Sequence, residues 1–208
     1  MGIRGVEVAL ATTLVGVGLG FAAGTVLTDE PARLAGALPV PASSPSVPLD
    51  PPPTVLPDPD RPTLPTRLPS HTETVGVAPY DLEFPIPNGW QEFVIGPAEK
   101  RWTLPGNPSQ SYSVRVELVI SQRITIERLM EQRAEELDGL LGFNVLERTD
   151  DTLVFTYIDE TDHQRLSVVR WISPRGSGTA EAEIAATGRM RDEAGLRALV
   201  ARIADRAR

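Results

Sequence analysis

The amino-acid sequence predicts an α+β protein in which an antiparallel sheet is flanked by helices, preceded by one transmembrane helix and a disordered proline-rich linker. Residues 8–27 are almost entirely apolar, and thirteen prolines lie from Pro31 to Ser70. Short runs of alternating apolar and polar residues, typical of strands, begin only near residue 79. The predicted regions are an anchor, a linker and a folded domain, over residues 1–28, 29–78 and 79–208.

Composition excludes several classes of function. The chain has 208 residues, no cysteine and a formal net charge of -8. Acidic and basic residues are interspersed, so no basic face is predicted for nucleic acid or anionic lipid. Without cysteine there can be no disulfide, thiolate metal site, cysteine nucleophile or lipid attached to a lipobox. Any membrane anchor must therefore be the peptide itself.

Residues 8–27 have the length of a membrane-spanning helix. At about 1.5 Å per residue they extend for about 30 Å, the thickness of the hydrocarbon core. Arg4 precedes the segment and Asp29 and Glu30 follow it, so the positive-inside tendency predicts a cytoplasmic N-terminus and an extracytoplasmic body. A cleaved signal peptide is the alternative, but its small-x-small option at residues 35–37 is separated from the apolar run by charges.

Three glycines give this helix a candidate contact face. Gly16, Gly20 and Gly24 recur at every fourth residue and so share one side of the helix. This spacing permits close approach of two membrane helices, which predicts a homodimer or a partner helix. The alternative is that glycine is simply common in such anchors.

The proline-rich region is predicted to be a spacer. It has almost no aromatic residues, and proline fixes φ and removes amide donors, so no core is expected there. In an extended conformation of about 3.1 Å per residue, its forty or so residues would reach on the order of 120 Å. A docking site for a proline-reading domain is the alternative.

The predicted domain has strands, a helix, a four-stranded meander and a second helix. In the strand that begins at Tyr112, for example, Val114 and Val116 alternate with polar residues, which predicts one buried face. Thr125 and Asp192 are the predicted N-caps of the two helices. The strands are predicted over residues 82–86, 90–95, 101–104, 112–121, 144–148, 152–158, 164–173 and 179–187.

This order of elements and the segment FPIPNGW at residues 84–90 resemble the PsbP-like fold, over residues 79–208. That fold is shared by the extrinsic subunit of the plant oxygen-evolving complex, a nuclear Ran-binding protein and the LpqN-type envelope lipoproteins of mycobacteria. LpqN-type proteins carry a lipobox cysteine, which this chain lacks, so a peptide anchor would replace the lipid. The resemblance implies an α/β/α sandwich that acts as a non-enzymatic binding or scaffold module in the cell envelope, and it carries over no catalytic residue.

No catalytic, cofactor-binding or metal-binding residue is predicted. His163 is the only histidine in the predicted domain, so a second imidazole is lacking for a metal site or relay. The carboxylates at residues 159–162 offer Ca²⁺ as an alternative, but a solvated hairpin turn explains the same residues and their spacing fits no EF-hand. The sequence contains no G-x-S-x-G, phosphate-binding glycine loop or H-E-x-x-H motif. We therefore expect the domain not to be an enzyme.

Two tryptophans carry opposite predictions. Trp90 follows a turn and is expected to pack in the core. Trp102 lies between Arg101 and a proline-glycine loop, which makes it the candidate for an exposed interface anchor, with a core or half-buried sheet position as the alternative.

The predicted function is a membrane-tethered extracytoplasmic binding or scaffold module of a bacterial cell envelope, with an unknown envelope protein or polymer as its partner. The alternative is an extracytoplasmic sensor or small-ligand carrier with a pocket between sheet and helices. A closed apolar core without a cavity would favour the first.

Overall fold

The computed structural model describes residues 52–106, 112–119 and 124–208. Within these ranges the helices are α1 (Ile126–Leu137) and α2 (Glu193–Arg206), and a 3-10 turn, Met190–Asp192, leads into α2. The strands are β1 (Ser70–Val75), β2 (Leu82–Pro87), β3 (Gln91–Gly96), β4 (Glu99–Thr103), β5 (Ser113–Leu118), β6 (Asn144–Arg148), β7 (Thr152–Ile158), β8 (Gln164–Ile172) and β9 (Ala182–Arg189).

Seven of these strands form one antiparallel sheet in the order β3-β4-β5-β9-β8-β7-β6, while β1 and β2 form a separate antiparallel hairpin. The sheet consists of two meanders that meet where β5 pairs with β9. The predicted α+β class, with an antiparallel sheet and two helices, is therefore confirmed.

Apolar side chains cover both faces of the sheet because successive residues of a strand point to opposite sides. On β7, Val154 belongs to the apolar cluster that includes α2, while Leu153 and Phe155 belong to the cluster under α1. We call these sides the α2 face and the α1 face. Side chains of the β1-β2 hairpin belong to the α2-face cluster. The domain thus has three layers: α1, the sheet, and α2 with the hairpin.

The two predicted N-caps behave differently. The Thr125 hydroxyl accepts a hydrogen bond from the backbone N–H of Arg128 at 3.2 Å, which confirms Thr125 as the N-cap of α1. Asp192 occupies the N-cap position of α2, but its side chain makes no cap hydrogen bond there. It accepts instead from Arg189 of β9 and from the backbone N–H of Leu64, a residue of the predicted linker.

Residues 56–69 form an extended segment that packs on the domain, which we call the strap. At its N-terminal end, the Leu56 N–H donates to the Asp162 carbonyl at 2.8 Å. Farther along, Leu64 is only 8% exposed and belongs to the α2-face core. Its neighbour in α2 is Gly195, where an added Cβ would lie 2.8 Å from the Leu64 Cγ.

Arginine side chains of the domain hold the strap by its carbonyl groups. Arg189, which is 2% exposed, and Arg202 of α2 donate to them over 2.6 to 3.2 Å. The acceptors are the carbonyl oxygens of Pro59, Arg61, Pro62, Thr66 and Leu68. Prolines lack the N–H groups that a sheet needs, yet their carbonyls still accept. Guanidinium donors therefore let a proline-rich segment pack without entering a sheet.

The predicted linker boundary is thus wrong at its C-terminal end. Residues 56–69 form the strap and residues 70–75 form β1, so the packed part of the chain begins well before residue 79. Residues 29–51 of the predicted linker lie outside the described residues.

The predicted membrane anchor also lies outside them, as do Gly16, Gly20 and Gly24. In the portion of the chain that the structure describes, neither helix has the length and apolar character needed to cross a bilayer.

Candidate functional site

A polar cleft of about 440 Å³ opens on the α1 face, a size typical of small-molecule sites. Its walls come from β4, β5, β7, β8 and β9 and from Leu140 in the turn after α1. The lining side chains that matter most are Arg101, Ser113, Tyr157, Asp159, Arg165 and Thr187.

Strand register aligns three hydroxyl residues, of which Ser113 and Thr187 line the cleft while Ser167 is buried beside it. Ser113 lies opposite Thr187, and Thr187 lies opposite Ser167. The Ser167 Oγ and Thr187 Oγ1 are 2.7 Å apart, and the Tyr157 hydroxyl bonds to both side chains. Burial, helped by the charge of Asp159, raises the pKa of Tyr157. The phenol therefore stays protonated at neutral pH and can donate.

Arg165 is the most unusual lining residue, because its side chain is charged and only 2% exposed. Its Nη1 donates to Asp58 of the strap at 2.7 Å, and its Nε lies 2.6 Å from Asp159. Its Nη2 is buried and has no hydrogen-bond partner in the described part of the chain. Arg165 thus joins the strap, the β7-β8 turn and the cleft.

Asp159 organises the turn between β7 and β8. Its carboxylate accepts from the Thr161 hydroxyl at 2.6 Å and from the backbone N–H groups of Thr161 and His163 at 2.8 and 3.0 Å. Burial acts to raise the pKa of Asp159, but these hydrogen bonds and the charge of Arg165 outweigh it and hold the pKa below its ordinary value. Asp159 therefore remains ionised and is a poor proton donor.

The predicted hairpin turn at residues 159–163 is present, and His163 lies in it. The His163 Nδ1 is 3.1 Å from the Thr161 hydroxyl. Across the described ranges, no three histidine or carboxylate side chains are grouped closely enough to hold a metal ion.

A charged cluster on the α1 face ties α1 to the sheet. Glu183 of β9 is 5% exposed. It accepts from Arg115 of β5 and, at 2.9 Å, from Arg133 of α1. Burial raises the pKa of Glu117, and the charge of Glu183 adds to this rise against the opposing charge of Arg115. Arg115 lies directly opposite the cleft residue Arg101, so this cluster fixes β5 and α1 beside the cleft.

Trp102 is not exposed, and the prediction that it anchors an interface is wrong. Its side chain is 1% exposed, and its ring meets Phe84 edge to face with centroids 5.6 Å apart. The reason is strand alternation, since Trp102 lies opposite Val114 and points with it into the α2-face core. Trp90 is 8% exposed, and its predicted place in the core is confirmed.

The cleft residues were not predicted as a site. Ser113 and Thr187 lie in predicted strands and could have been found as polar positions on a common face. Buried Arg165 has no such signal, because a charged residue at a strand end is normally solvated. Its environment depends on Asp58, 107 residues away.

No protein-family model matches the chain, and no curated protein sequence matches it significantly. Among solved structures, the crystal structure of LpqN, involved in cell envelope biogenesis of Mycobacterium tuberculosis, is 14% identical and covers 66% of this chain and 90% of LpqN, with a TM-score of 0.43. The solution structure of the cyanobacterial PsbP (CyanoP) from Synechocystis sp. PCC 6803 is 16% identical and covers 66% of this chain and 91% of CyanoP, with a TM-score of 0.36. Both names belong to the fold group that the sequence resembles. Because both TM-scores are below 0.5, these superpositions support no conclusion about ligand or activity.

Proposed function

We propose that this chain is a non-enzymatic binding module that a membrane anchor holds outside the cell membrane, where it binds an envelope protein or polymer. Residues 8–27 support the location by their spanning length and by the charges on either side. The intervening prolines support display at a distance from the bilayer.

The observation that carries the proposal is the bonding of the cleft hydroxyls. Those of Tyr157 and Thr187 bond to one another and to the buried Ser167 beside them, so none of these three is held against a base. Nucleophilic chemistry requires a hydroxyl paired with a base that a third group orients.

The Thr161 hydroxyl, which also lines the cleft, bonds to Asp159 and lies 3.1 Å from the His163 Nδ1. All three belong to one turn, and no described residue bonds to the Nε2 of His163 to orient its ring. Asp159 is held ionised by its own turn and so does not suit general acid catalysis. These features support a binding role for the cleft.

Topology is the first test of this proposal. The full-length chain with a C-terminal tag should be recovered in the membrane fraction at its full mass, and protease added to intact spheroplasts should remove the tag. Recovery of a shortened soluble form that begins near residue 38 would instead establish cleavage and contradict the anchor.

Partner capture is the second test. Photo-crosslinking from residue 101, which is exposed at the cleft, should yield a specific envelope protein or polymer. The matched control is the same crosslinker at residue 128, an exposed arginine that lines neither this cleft nor the apolar cleft described below. Equal capture from both positions would show that the cleft is not the binding surface.

An apolar cleft of about 570 Å³ supports a small-ligand carrier as the second candidate. It is lined by Pro79, Tyr80, Leu118, Val119 and Ala180, among others. The distinguishing measurement is native mass spectrometry of the full chain, in which a carrier would retain one small molecule per protein.

A further inference from the structure

We propose that the polar cleft binds a neutral, hydroxyl-rich ligand, a single saccharide unit of an envelope polymer. This inference rests on the proposed binding function and adds the class of ligand and its site.

The charges of the cleft argue for a neutral ligand. The formal charges of Arg101 and Arg165 are balanced by those of Asp159 and Glu160, which also line the cleft. Asp58 of the strap gives Arg165 a second carboxylate partner. An anionic ligand would therefore gain little from Arg165, because two carboxylates already pair with it. A cationic ligand would be repelled by the buried guanidinium. Placing an uncompensated charge there is unfavourable.

The hydrogen-bonding groups match those of a sugar. Ser113, Tyr157 and Thr187 offer hydroxyls that both donate and accept, and Asp159 and Glu160 can only accept. Neighbouring strands set the Ser113 and Thr187 backbones about 4.8 Å apart. Groups that both donate and accept at short intervals suit a ring whose successive carbons carry hydroxyls.

The buried Nη2 of Arg165 is the second, independent observation. It is an unpartnered donor within the described residues, and the side chain lines the cleft. Buried donors without an acceptor are rare in folded proteins. In the structure this atom is covered, so a ligand would reach it only after a shift of the Arg165 side chain. A neutral ligand oxygen would then supply the missing acceptor without adding charge.

Apolar groups of the same cleft suit the carbon face of a sugar ring. Leu140 is 38% exposed and lines the cleft with Ile158 and Tyr157. A mixed wall of this kind, with a few convergent polar groups, orients a ligand that has one apolar and one polar side.

The test is saturation-transfer NMR on the full-length chain in lipid nanodiscs prepared without sugar-based detergents, since maltoside head groups would occupy the site. The probes are the methyl glycosides of N-acetylglucosamine, galactose and mannose, with galacturonic acid and glucosamine as charged counterparts. We expect at least one neutral glycoside to bind, and both charged sugars to bind more weakly. Removing one hydroxyl in Ser113→Val should weaken binding about tenfold, the effect of one lost hydrogen bond.

Thr74→Val is the control, because it also removes one hydroxyl from a strand residue, but Thr74 lies in β1, away from the cleft. It should leave the dissociation constant unchanged, and thermal unfolding should show that both variants are folded. Absence of binding by every neutral glycoside, stronger binding of galacturonic acid, or equal binding by Ser113→Val and the parent would each overturn the inference. If the topology and crosslinking results hold while these fail, the proposed function stands and only the ligand assignment is wrong.

Discussion

Leu64 of the strap lies directly over Gly195 of α2, where an added Cβ would come within 2.7 Å of the Cβ of Leu64. Real Cβ atoms do not approach so closely, so a side chain at residue 195 must displace the strap. The contact explains why a helix that has good formers at most positions carries a glycine in its first turn.

Gly195→Ala should therefore destabilise the protein, although glycine to alanine inside a helix ordinarily stabilises by about 0.5 to 1 kcal/mol. Overpacking costs about 1 to 3 kcal/mol, so we expect a net loss of about 1 to 2 kcal/mol in urea unfolding. Gly139→Ala is the control, since an added Cβ there meets no neighbour within 4 Å. A Gly195→Ala protein as stable as the parent would show that the strap can shift to accommodate the added Cβ without a loss in the free energy of unfolding.

Truncation should separate the contributions of strap and hairpin. A chain of residues 52–208 should unfold cooperatively, because it keeps every contact described. A chain of residues 70–208 should be less stable, since Arg189 and Asp192 lose their strap partners and the Leu64 pocket opens. A chain of residues 79–208, the domain predicted from the sequence, also lacks β1 and should be the least stable. Equal melting temperatures for the three would contradict the structural role of the strap.

Acid should loosen the strap at Asp192. Burial acts to raise the pKa of Asp192, but hydrogen bonds from Arg189, the Leu64 N–H and Tyr112 outweigh it and hold the pKa below its ordinary value. Because the pKa of Asp192 is lower in the folded than in the unfolded state, ionised Asp192 stabilises the fold at pH values above the unfolded-state pKa of about 3.9. This stabilisation is lost as the pH falls through the lower pKa of the folded state. We expect the amide of Leu64 to become less protected from hydrogen exchange in this range.

Two variants make the acid experiment specific. Asp192→Asn should abolish most of the pH dependence at Leu64, with a cost of about 3 to 5 kcal/mol for breaking a buried pair. Asp60→Asn is the control, because the Asp60 side chain is fully exposed and pairs only with Arg191 in the described part of the chain. A Leu64 amide equally protected at every pH would argue against the Asp192 link.

Trp102 should be a packing residue. Trp102→Ala should cost about 3 to 5 kcal/mol, measured by urea unfolding, because the side chain is 1% exposed and contacts Phe84. Trp102→Phe should recover part of this loss by keeping an aromatic ring in the site. An alanine variant as stable as the parent would indicate that the Trp102 side chain is exposed rather than buried.

The sequence predicted the elements whose apolar pattern is local. Val114 and Val116 alternate with polar residues, and this period alone predicts a strand with one buried face. Thr125 precedes an apolar stripe, which predicts a helix start. In both cases the pattern lies within one strand or helix, so the element can be predicted without knowing which distant residues pack against it.

The strap and β1 could not be predicted in this way, because their structure depends on distant residues. β1, with the sequence SHTETV, has one apolar residue and becomes a strand by pairing with β2. Leu64 stands among prolines and is buried only because Gly195 leaves room for it. Trp102 was misplaced because its charged neighbours in sequence suggested a surface, while the pairing of β4 with β5 determines its side.

The strap also determines how traction on the N-terminal chain would reach the fold. A pull on the N-terminal chain should detach the strap from its N-terminal end. The contact of Leu56 with Asp162 should break first, then that of Asp58 with Arg165, and later those with Arg189. A single-molecule pulling experiment should therefore show a small early extension before the sheet gives way, and one rupture alone would contradict this. Peeling removes the Asp58 carboxylate from Arg165 while every strand is still intact. Tension on the N-terminal chain would thereby remove one carboxylate from beside Arg165 and change the electrostatic environment of the polar cleft before the sheet unfolds.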